Sequence, residues 1–379
     1  MGIVVGIDAS RNRSGGAKAH LVGVLGSGDP SQFGVREVHV WSYRTLLDAL
    51  PDTPWLVKHN PPELDSSLFR EAWWQYWLLP AEVRRHRCDL LLSLDAGTIG
   101  HVKPSVVMSR DMLSYEPGEM RRYGLSKARV RLILLRYIQA RSIRRANGVI
   151  FLTRYASETI QKVTGQLPHV AVIPHGVGEA FRQSKVHGAW PDSRNREVRC
   201  LYVSNAEMYK HQWVVVQAIG ELRKRGYDVV LTLAGGGAGQ AQSLLDAEIA
   251  RADSQGRFVR SIGAVRYEEV PALLADADLF IFASSCENMP NTLLEAMASG
   301  LPIACSDRGP MPEVLGDGGV YFDPEQFGSI ATAVESIIAN AGLRAAIARR
   351  AKERSEQYSW ARCARETWTF LRASVQESK

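Results

Sequence analysis

The chain has 379 residues, of which 45% are hydrophobic and 23% are charged, and its 46 Lys and Arg against 40 Asp and Glu give a formal net charge of +6. A chain of this length exceeds one ordinary hydrophobic core, so we expect two domains. No run approaches the roughly 20 consecutive apolar residues of a membrane span, and the first residues lack the basic segment of a signal peptide. These features exclude an integral membrane protein, a fibrous protein and a disulfide scaffold, and they favour a cytoplasmic globular protein.

The cysteines and histidines form no recognisable ligand motif. The five cysteines include no CxxC pair, and the nine histidines include no HxxxH spacing. We therefore expect reduced thiols, no metal site and no cofactor. Cys286, beside Glu287, has two interpretations, a nucleophile or a buried thiol at the end of a strand, and we favour the second.

Short apolar runs alternate with helical patterns along almost the whole chain, which predicts an α/β protein with parallel sheets covered by helices. The predicted strands are 3–7, 90–94, 105–108, 149–153 and 170–173 in the first half, and 199–203, 229–234, 258–262, 279–283 and 302–305 in the second. The polar segment 178–197 is the predicted linker between a first domain, 1–177, and a second domain, 198–357. A final helix within 358–379 has no strand after it, and we expect it to pack back on the first domain.

Three loops follow strands of the second domain, and they should meet because ligands of an open parallel sheet bind at the carboxyl ends of its strands. The first loop ends in Lys210, a positive charge suited to a phosphate. The second contains Gly235 and Gly236, which allow backbone to approach a ligand closely. The third precedes a helix predicted at 291–299, with Pro290 expected at its first position.

Two carboxylates accompany that helix. Glu287 lies just before it and Glu295 lies one turn inside it. The amino end of a helix favours a pyrophosphate, although an acid there also stabilises a helix without any ligand. Together these features predict a site for a phosphorylated ligand whose hydroxyl groups bind the carboxylates.

The string Glu287-Asn288-Met289-Pro290-Asn291-Thr292-Leu293-Leu294-Glu295 resembles the Glu-x7-Glu signature of the retaining glycosyltransferases of family 4. The similarity extends over 201–324 and includes Val172–Val177, while the first domain matches mainly in plan. The resemblance implies the GT-B fold, in which two Rossmann-like parallel-sheet domains face each other across a cleft. It also implies a nucleotide diphosphate sugar on the second domain and an acceptor on the first.

By this resemblance, each motif residue acquires a role. Glu295 should hold the ribose hydroxyls, Glu287 should face the donor sugar, and Lys210 should neutralise the departing pyrophosphate. The resemblance assigns the remaining donor contacts to Asn205, Gly235, Gly236, Val265, Asn288, Met289, Asn291 and Gly16.

Two positions depart from the family pattern. Asn205 stands where the family has Arg, so a phosphate contact is missing or comes from His211 or Arg266. In place of a His-Asp pair after the fourth strand, this chain has Arg110 and Asp111, which either serve the acceptor or donor sugar or cap the helix that follows the loop. Gly15 and His175 are further candidates for the acceptor or donor-sugar side, and for His175 we favour a structural role.

Aromatic residues crowd one predicted helix at Trp73, Trp74, Tyr76 and Trp77. Positions 73 and 77 share a helix face, which favours core packing over stacking on acceptor sugars or contact with a membrane interface.

A basic stretch from Arg121 to Arg145 contains nine basic residues and no acid. It also carries an apolar stripe at helical spacing, formed by Leu125, Ala128, Leu132, Leu135 and Ile143. The stretch is either a solvated face of a packed helix or a docking surface for anionic lipid. No recognition motif for nucleic acid accompanies the charge.

The expected activity is that of a retaining, metal-independent hexosyltransferase. It would use a UDP- or GDP-linked sugar and a saccharide acceptor, lipid-linked, in surface polysaccharide synthesis at the inner face of the plasma membrane. The alternatives are a nucleotide-sugar epimerase on the same fold and a catalytically degenerate homologue that binds glycans or partner proteins.

Overall fold

The computed structural model describes residues 2–13, 15–183 and 197–377. The chain divides into two compact units, one formed by 1–176 with 359–379 and the other by 177–358. Val177 and Tyr358 are the two ends of the second unit, and the N–H of Val177 donates to the carbonyl of Tyr358 (3.2 Å). Most of the linker predicted at 178–197 lies outside the described residues, and its described part contains helix α7, Glu179–Arg182.

The first unit alternates strands and helices, as the hydropathy pattern predicts. Its strands in the described residues are β1 (Ile3–Asp8), β2 (Val35–Trp41), β3 (Leu56–His59), β4 (Leu90–Ser93), β5 (Ser105–Met108), β6 (Gly148–Phe151) and β7 (Val170–Val172). Its helices are α1 (Gly15–Leu25), α2 (Arg44–Leu47), α3 (Leu68–Trp73), α4 (Leu79–Arg85), α5 (Lys127–Arg145), α6 (Arg154–Thr164) and α15 (Trp360–Glu377).

The second unit repeats this alternation. Its strands in the described residues are β8 (Val198–Val203), β9 (Val229–Ala234), β10 (Val259–Gly263), β11 (Leu279–Phe282), β12 (Ile303–Ser306) and β13 (Val320–Phe322). The helices that follow α7 are α8 (Gln212–Lys224), α9 (Gly239–Ala252), α10 (Val270–Asp276), α11 (Asn291–Ser299), α12 (Met311–Leu315), α13 (Phe327–Ala339) and α14 (Ala341–Ser355).

Both sheets are parallel throughout the described residues. The strand order is β3-β2-β1-β4-β5-β6-β7 in the first unit and β10-β9-β8-β11-β12-β13 in the second. Each order reverses once, between β1 and β4 and between β8 and β11, and such a reversal opens a crevice at the carboxyl ends of the strands. The predicted fold class, two Rossmann-like domains of the GT-B type, is confirmed.

Three strands were not predicted from apolar runs in the sequence, namely β2, β3 and β13. β2 has the sequence VREVHVW, so charged residues interrupt its apolar positions. β3 lies at one end of its sheet and β13 has three residues, too few for a period to show.

Helix α11 has the predicted bounds and ends at Gly300, whose φ of 75° is left-handed. Pro290 differs from its prediction, because it occupies the N-cap, with a ψ of 80°, rather than the first helical position.

The aromatic helix contradicts its core interpretation. Trp74 is buried, but Trp73, Tyr76 and Trp77 are 51%, 42% and 62% exposed. The inward side of this segment carries Glu71 and Gln75 instead. Glu71 binds Arg11 and Arg13, and Gln75 binds Asp8 and Ser10, so buried hydrogen bonds decided which side faces inward.

The stripe expected on the basic helix is confirmed only in part. Leu132 and Ile143 are buried, but Leu125 precedes α5 and is fully exposed, and Ala128 is exposed as well. Leu135 is half-buried. The apolar stripe is therefore buried only beyond the first turn of α5.

No single helix in the described part of the chain is long and apolar enough to cross a membrane. Two consecutive helical segments, Phe327–Ala339 and Ala341–Glu377, together have the length and the apolar composition of a membrane span, but the chain bends by 102° between them. Length and composition are the only features that suggest a span there.

The C-terminal helix α15 packs on the first unit. The Trp360 ring lies against Gly23 of α1, and the Cys363 sulfur lies 3.9 Å from Nε2 of His20. Farther along α15, the Ser374 hydroxyl lies 3.0 Å from Nε2 of His169. The final segment thus completes the first domain.

We expect Gly23→Ala to destabilise the first unit, because the added Cβ would lie 2.3 Å from the Trp360 ring. Overpacking of this kind costs about 1–3 kcal/mol. Gly15→Ala in the same helix is the matched control, since its Cβ would meet no atom within 4 Å. Urea unfolding of both variants checks the prediction, and equal stability of the two would contradict it.

Candidate functional site

The reversal of strand order in the second unit brings two loops side by side. Residues 204–210 follow β8, residues 283–290 follow β11, and these two strands are neighbours in the sheet. Lys210 and Glu287, predicted from separate loops, meet here in an ion pair. Their side chains are only 13% and 14% exposed, so the pair is well shielded from solvent.

Aromatic rings and backbone hold Lys210 in place. Its Nζ lies 5.2 Å from the Tyr209 ring centroid and 5.6 Å from that of Phe282, within the range of a cation–π interaction. The hydroxyl of buried Tyr202 donates to the carbonyl of Lys210 (2.7 Å). The ammonium group is therefore fixed at the crevice.

The two loops are also joined through Ser285. Its N–H donates to the carbonyl of Tyr209 (2.8 Å), and its hydroxyl lies 2.9 Å from Nε2 of His211. His211 is buried and has a left-handed backbone (φ 49°). The sequence suggested His211 as a phosphate contact, but in the structure its side chain joins the two loops.

The glycine loop after β9 packs against the loop after β8. A Cβ on Gly235 would lie 2.0 Å from the carbonyl oxygen of Ser204, and its φ of 145° is itself unfavourable for other residues. The N–H of Gly235 donates to the carbonyl of Gly263 (2.7 Å), and the carbonyl of Gly236 accepts from Ala206 (3.0 Å). The close contact between the two loops therefore explains why position 235 requires glycine.

Glu295 lies in α11 with its side chain buried. Burial raises the pKa of its carboxyl to about 8, although a hydrogen bond with Tyr267 opposes that shift. Burial, and after it the same carboxyl, raises the pKa of Tyr267. Tyr267 is 45% exposed, and its ring packs edge-on against Phe181 at 5.6 Å. Sequence reasoning missed Tyr267, since no motif marks a tyrosine 28 residues before its partner.

The residues before α11 are largely enclosed. Asn288 and Met289 are buried and Asn291 is half-buried, with its N–H donating to the carbonyl of Met289 (3.0 Å). Pro290 provides no side-chain cap, so the first turn of α11 remains an amino end of positive potential.

The two remaining donor candidates lie nearer the surface. Asn205 is exposed and Val265 is half-buried, each at the carboxyl end of its strand. Arg266, the other candidate for a phosphate contact, forms a capping box and an ion pair with Glu269 (3.1 Å).

Candidates of the first unit gather at the carboxyl end of its sheet. Arg110 donates to the side chain of Asn12 (3.0 Å) and to the carbonyl of Leu94 (3.4 Å), and burial lowers its pKa to about 10. Asp111 accepts from the N–H of Leu113 and from Gln139, and burial raises its pKa. Asp111 thus orders its own turn rather than capping a helix.

Gly15 and Gly16 belong to the first turn of α1 and not to the loop before it. His175 is buried, with its ring 4.7 Å from His20 and 5.8 Å from Trp360. This position favours the structural role for His175.

A polar network at the end of β1 was not predicted. Glu71 accepts from Arg11 (3.1 Å) and Arg13 (3.5 Å), and burial raises the pKa of its carboxyl. Asp8 accepts from Gln75 (2.8 Å), and burial raises its pKa as well. Two arginines in the first strand-to-helix loop were the available signal.

The second unit therefore combines a lysine, a carboxylate and a helix amino end beside β8 and β11, and the same helix holds a buried acid, Glu295. Such a set can bind a phosphorylated ligand, stabilise negative charge on a leaving group and contact hydroxyls.

Residues 191–354 match the family described as Glycosyl transferases group 1. The match covers less than half of the chain and falls within the second unit, 177–358. Lys210, Glu287 and Glu295 all lie within the matched residues.

Two curated relatives are mannosyltransferases by name. The chain is 30% identical over 171 residues to O-antigen chain mannosyltransferase B of Escherichia coli, an alignment that covers 44% of each chain. It is 29% identical over 226 residues to a GDP-mannose-dependent phosphatidylinositol monomannoside mannosyltransferase of Mycolicibacterium smegmatis, covering 53% of this chain and 56% of the relative. The alignments thus span about half the length of these relatives.

Among solved structures, Anabaena HepE in complex with UDP-glucose is similar, with a TM-score of 0.74 at 18% identity. The alignment covers 98% of this chain and 100% of the other. At this identity the similarity shows the fold.

We expect Glu295→Gln to gain stability relative to the wild type as pH rises. The folded pKa of Glu295, about 8, exceeds its ordinary 4.5, so the proton stabilises the native state fully below pH 4.5 and this contribution disappears as pH rises through 8. The wild type should lose about 1.4 kcal/mol per pH unit relative to the amide variant within that window. Urea unfolding from pH 5 to 9 checks this, with Glu335→Gln as a surface control, and parallel curves for wild type and Glu295→Gln would contradict it.

Proposed function

We propose that this chain is a retaining glycosyltransferase of family 4 that transfers a hexose from a UDP- or GDP-linked donor to a hydroxyl of a saccharide. The observation that carries the proposal is the Lys210–Glu287 pair at the crevice beside β8 and β11, within the matched family residues. The Glu-x7-Glu spacing from Glu287 to Glu295 supports the assignment to family 4.

Charge determines the chemistry. Cleavage between the anomeric carbon and the phosphate leaves negative charge on the diphosphate and positive character on the sugar. Lys210 and the amino end of α11 stabilise the diphosphate, so the reaction needs no divalent metal. Lys210 is paired with Glu287 in the free protein. When the donor binds, its phosphate replaces the Glu287 carboxylate as the partner of the Lys210 ammonium group.

Glu287, released in this way, faces the sugar and stabilises its positive character. The acceptor hydroxyl attacks from the face of the leaving group, which retains the anomeric configuration, and we assign no covalent nucleophile. Glu295 and the hydroxyl of Tyr267 hold the ribose of the donor. The raised pKa of Glu295 implies that its carboxyl is protonated near neutral pH in the free protein.

Relatives support both nucleotides. HepE was solved with UDP-glucose, and one mannosyltransferase is GDP-mannose-dependent by name. These names give two donor classes to test and leave the base of this chain's donor as part of the proposal.

The acceptor side of the proposal rests on the first unit. Trp73 and Trp77 project from α3 and the π-helical turn Trp74–Leu78, where they are available to stack on sugar rings. The loop that carries Gly97 and Gly100 approaches Leu135 of α5 as well as the backbone of Gln75. The aromatic surface and the basic helix therefore border the same loop.

Helix α5 combines apolar and basic groups on its exposed side. Val130, Ile133, Leu134 and Tyr137 are each more than half exposed, next to the exposed bases Lys127, Arg131, Arg141 and Arg145. This combination suits shallow contact with an anionic membrane, from which a lipid-linked acceptor would be presented. We accordingly propose a peripheral location at the inner face of the plasma membrane.

We expect the purified chain to release UDP or GDP from a matching sugar donor when a saccharide acceptor is present. Lys210→Met should lower kcat on the order of 100- to 1,000-fold, because the leaving diphosphate loses its cation. Glu295→Gln should weaken nucleotide binding by roughly tenfold, through the loss of one hydrogen bond to the ribose hydroxyls. Calorimetric titration with UDP and GDP and a nucleotide-release assay check these outcomes, with Glu335→Gln as control.

Two outcomes would contradict this function, and a third would contradict the role of Glu295. Donor turnover without acceptor would indicate an epimerase. Nucleotide binding without release would indicate a degenerate homologue, and binding that is unchanged in Glu295→Gln would overturn its assignment to the ribose.

The membrane proposal predicts sedimentation with vesicles that contain phosphatidylglycerol and weaker sedimentation with pure phosphatidylcholine. Changing Lys127, Arg131, Arg141 and Arg145 to Gln should reduce partitioning on the order of 100- to 1,000-fold, at about 1 kcal/mol per basic residue. The matched control removes the same charge from the second unit, at Arg251, Arg257, Arg260 and Arg349. Equal losses in the two variants would show that net charge alone governs binding and would sink the assignment to α5.

A further inference from the structure

Three histidines far apart in the sequence converge in the first unit. His39 lies in β2, His59 is the last residue of β3, and His86 directly follows α4. Trp41 pairs with His59 across the parallel strands, and His39 is two residues before Trp41. Both strand histidines therefore project from the same face of the sheet, where His86 meets them.

The ring nitrogens of these histidines lie at a separation that one ion can bridge. Nδ1 of His39 is 2.8 Å from Nε2 of His59, and the three ligand atoms lie within 4.8 Å of one another. Imidazole nitrogens around a tetrahedral zinc ion lie about 3.3 Å apart, because each Zn–N bond is about 2.0–2.1 Å. Among the described residues, this is the one group of three or more such ligands.

Carboxylates stand behind the histidines. Oε1 of Glu37 lies 3.2 Å from Nε2 of His39, so the imidazole donates to the carboxylate there and presents Nδ1 to the cluster. Oε2 of Glu82 lies 3.6 Å from Nε2 of His86. Ligand histidines commonly donate their other N–H to a carboxylate, which orients the ring and offsets the charge of the metal.

The cluster borders on solvent. His39 is buried, His59 and His86 are half-buried, and His59 and Glu82 line a cavity of about 450 Å³. An ion can therefore enter without unfolding of the strands, and a water can complete its coordination.

We propose that His39, His59 and His86 form a binding site for a divalent transition-metal ion, with Zn²⁺ as the matching ion. Three imidazoles with one open position suit Zn²⁺, and they do not suit Mg²⁺ or Ca²⁺, which require oxygen ligands. The site lies outside the donor crevice of the second unit and is independent of the proposed transfer reaction. The histidines are 20 and 27 residues apart in the sequence, which matches no short metal-binding motif.

Calorimetric titration of the tag-free, chelator-treated full chain with ZnCl₂ tests the proposal. We expect one Zn²⁺ per chain with a dissociation constant on the order of 1 μM or below. His59→Gln and His86→Gln, both at half-buried positions, should each weaken binding by roughly 100-fold, and Glu37→Gln by about tenfold. His101→Gln, at an exposed histidine of the same unit, is the matched control and should bind as the wild type does.

Co²⁺ provides a second readout. Bound to three imidazoles in near-tetrahedral geometry, it should give intense visible d–d absorption that disappears in His59→Gln, while circular dichroism shows that the variant remains folded. Absence of stoichiometric Zn²⁺ binding to the wild type would overturn the proposal and leave a hydrogen-bonded histidine cluster. Equal affinity in the wild type and the His59→Gln/His86→Gln variant would also overturn it.

Discussion

The ion pair between Lys210 and Glu287 is the interaction on which the candidate site depends. It joins the loops after β8 and β11, at the point where the strand order of the second sheet reverses. Parallel strands with helical crossovers open a crevice only there, and both side chains are shielded from water within it. A shielded cation and anion satisfy each other when no ligand is present. A cation able to bind a phosphorylated ligand is thus present without an unpaired buried charge.

A second consequence of burial concerns Glu295. Seen in the sequence, it is one more acid in the first turns of a helix. In the structure its carboxyl is enclosed beside Tyr267, and desolvation raises its pKa to about 8. The carboxyl therefore remains protonated near neutral pH, and the stability of the second unit depends on pH as a result. A ligand whose hydroxyls bind this carboxyl would act on that same proton equilibrium.

In the first unit, polar contacts rather than hydrophobicity decide which surfaces remain available. Glu71 and Gln75 turn inward because Arg11 and Asp8 bind them, and Trp73 and Trp77 are left outside as a result. A helix judged by its aromatic content would be oriented the other way. The same unit gathers three histidines from separate elements, so much of its chemistry comes from its topology.

The sequence by itself determined the alternation of strands and helices, the bounds of α11 and the loops that contain Lys210 and Glu287. These features follow from local periodicity and from residues close together in the chain, such as Gly300 after α11. Only the tertiary structure decided the Lys210–Glu287 pair and the burial of Glu295. It alone also decided the exposure of Trp73 and the meeting of the histidines around His59. The reason is physical: burial, pKa and coordination depend on distances between groups that lie tens of residues apart, and sequence spacing does not contain those distances.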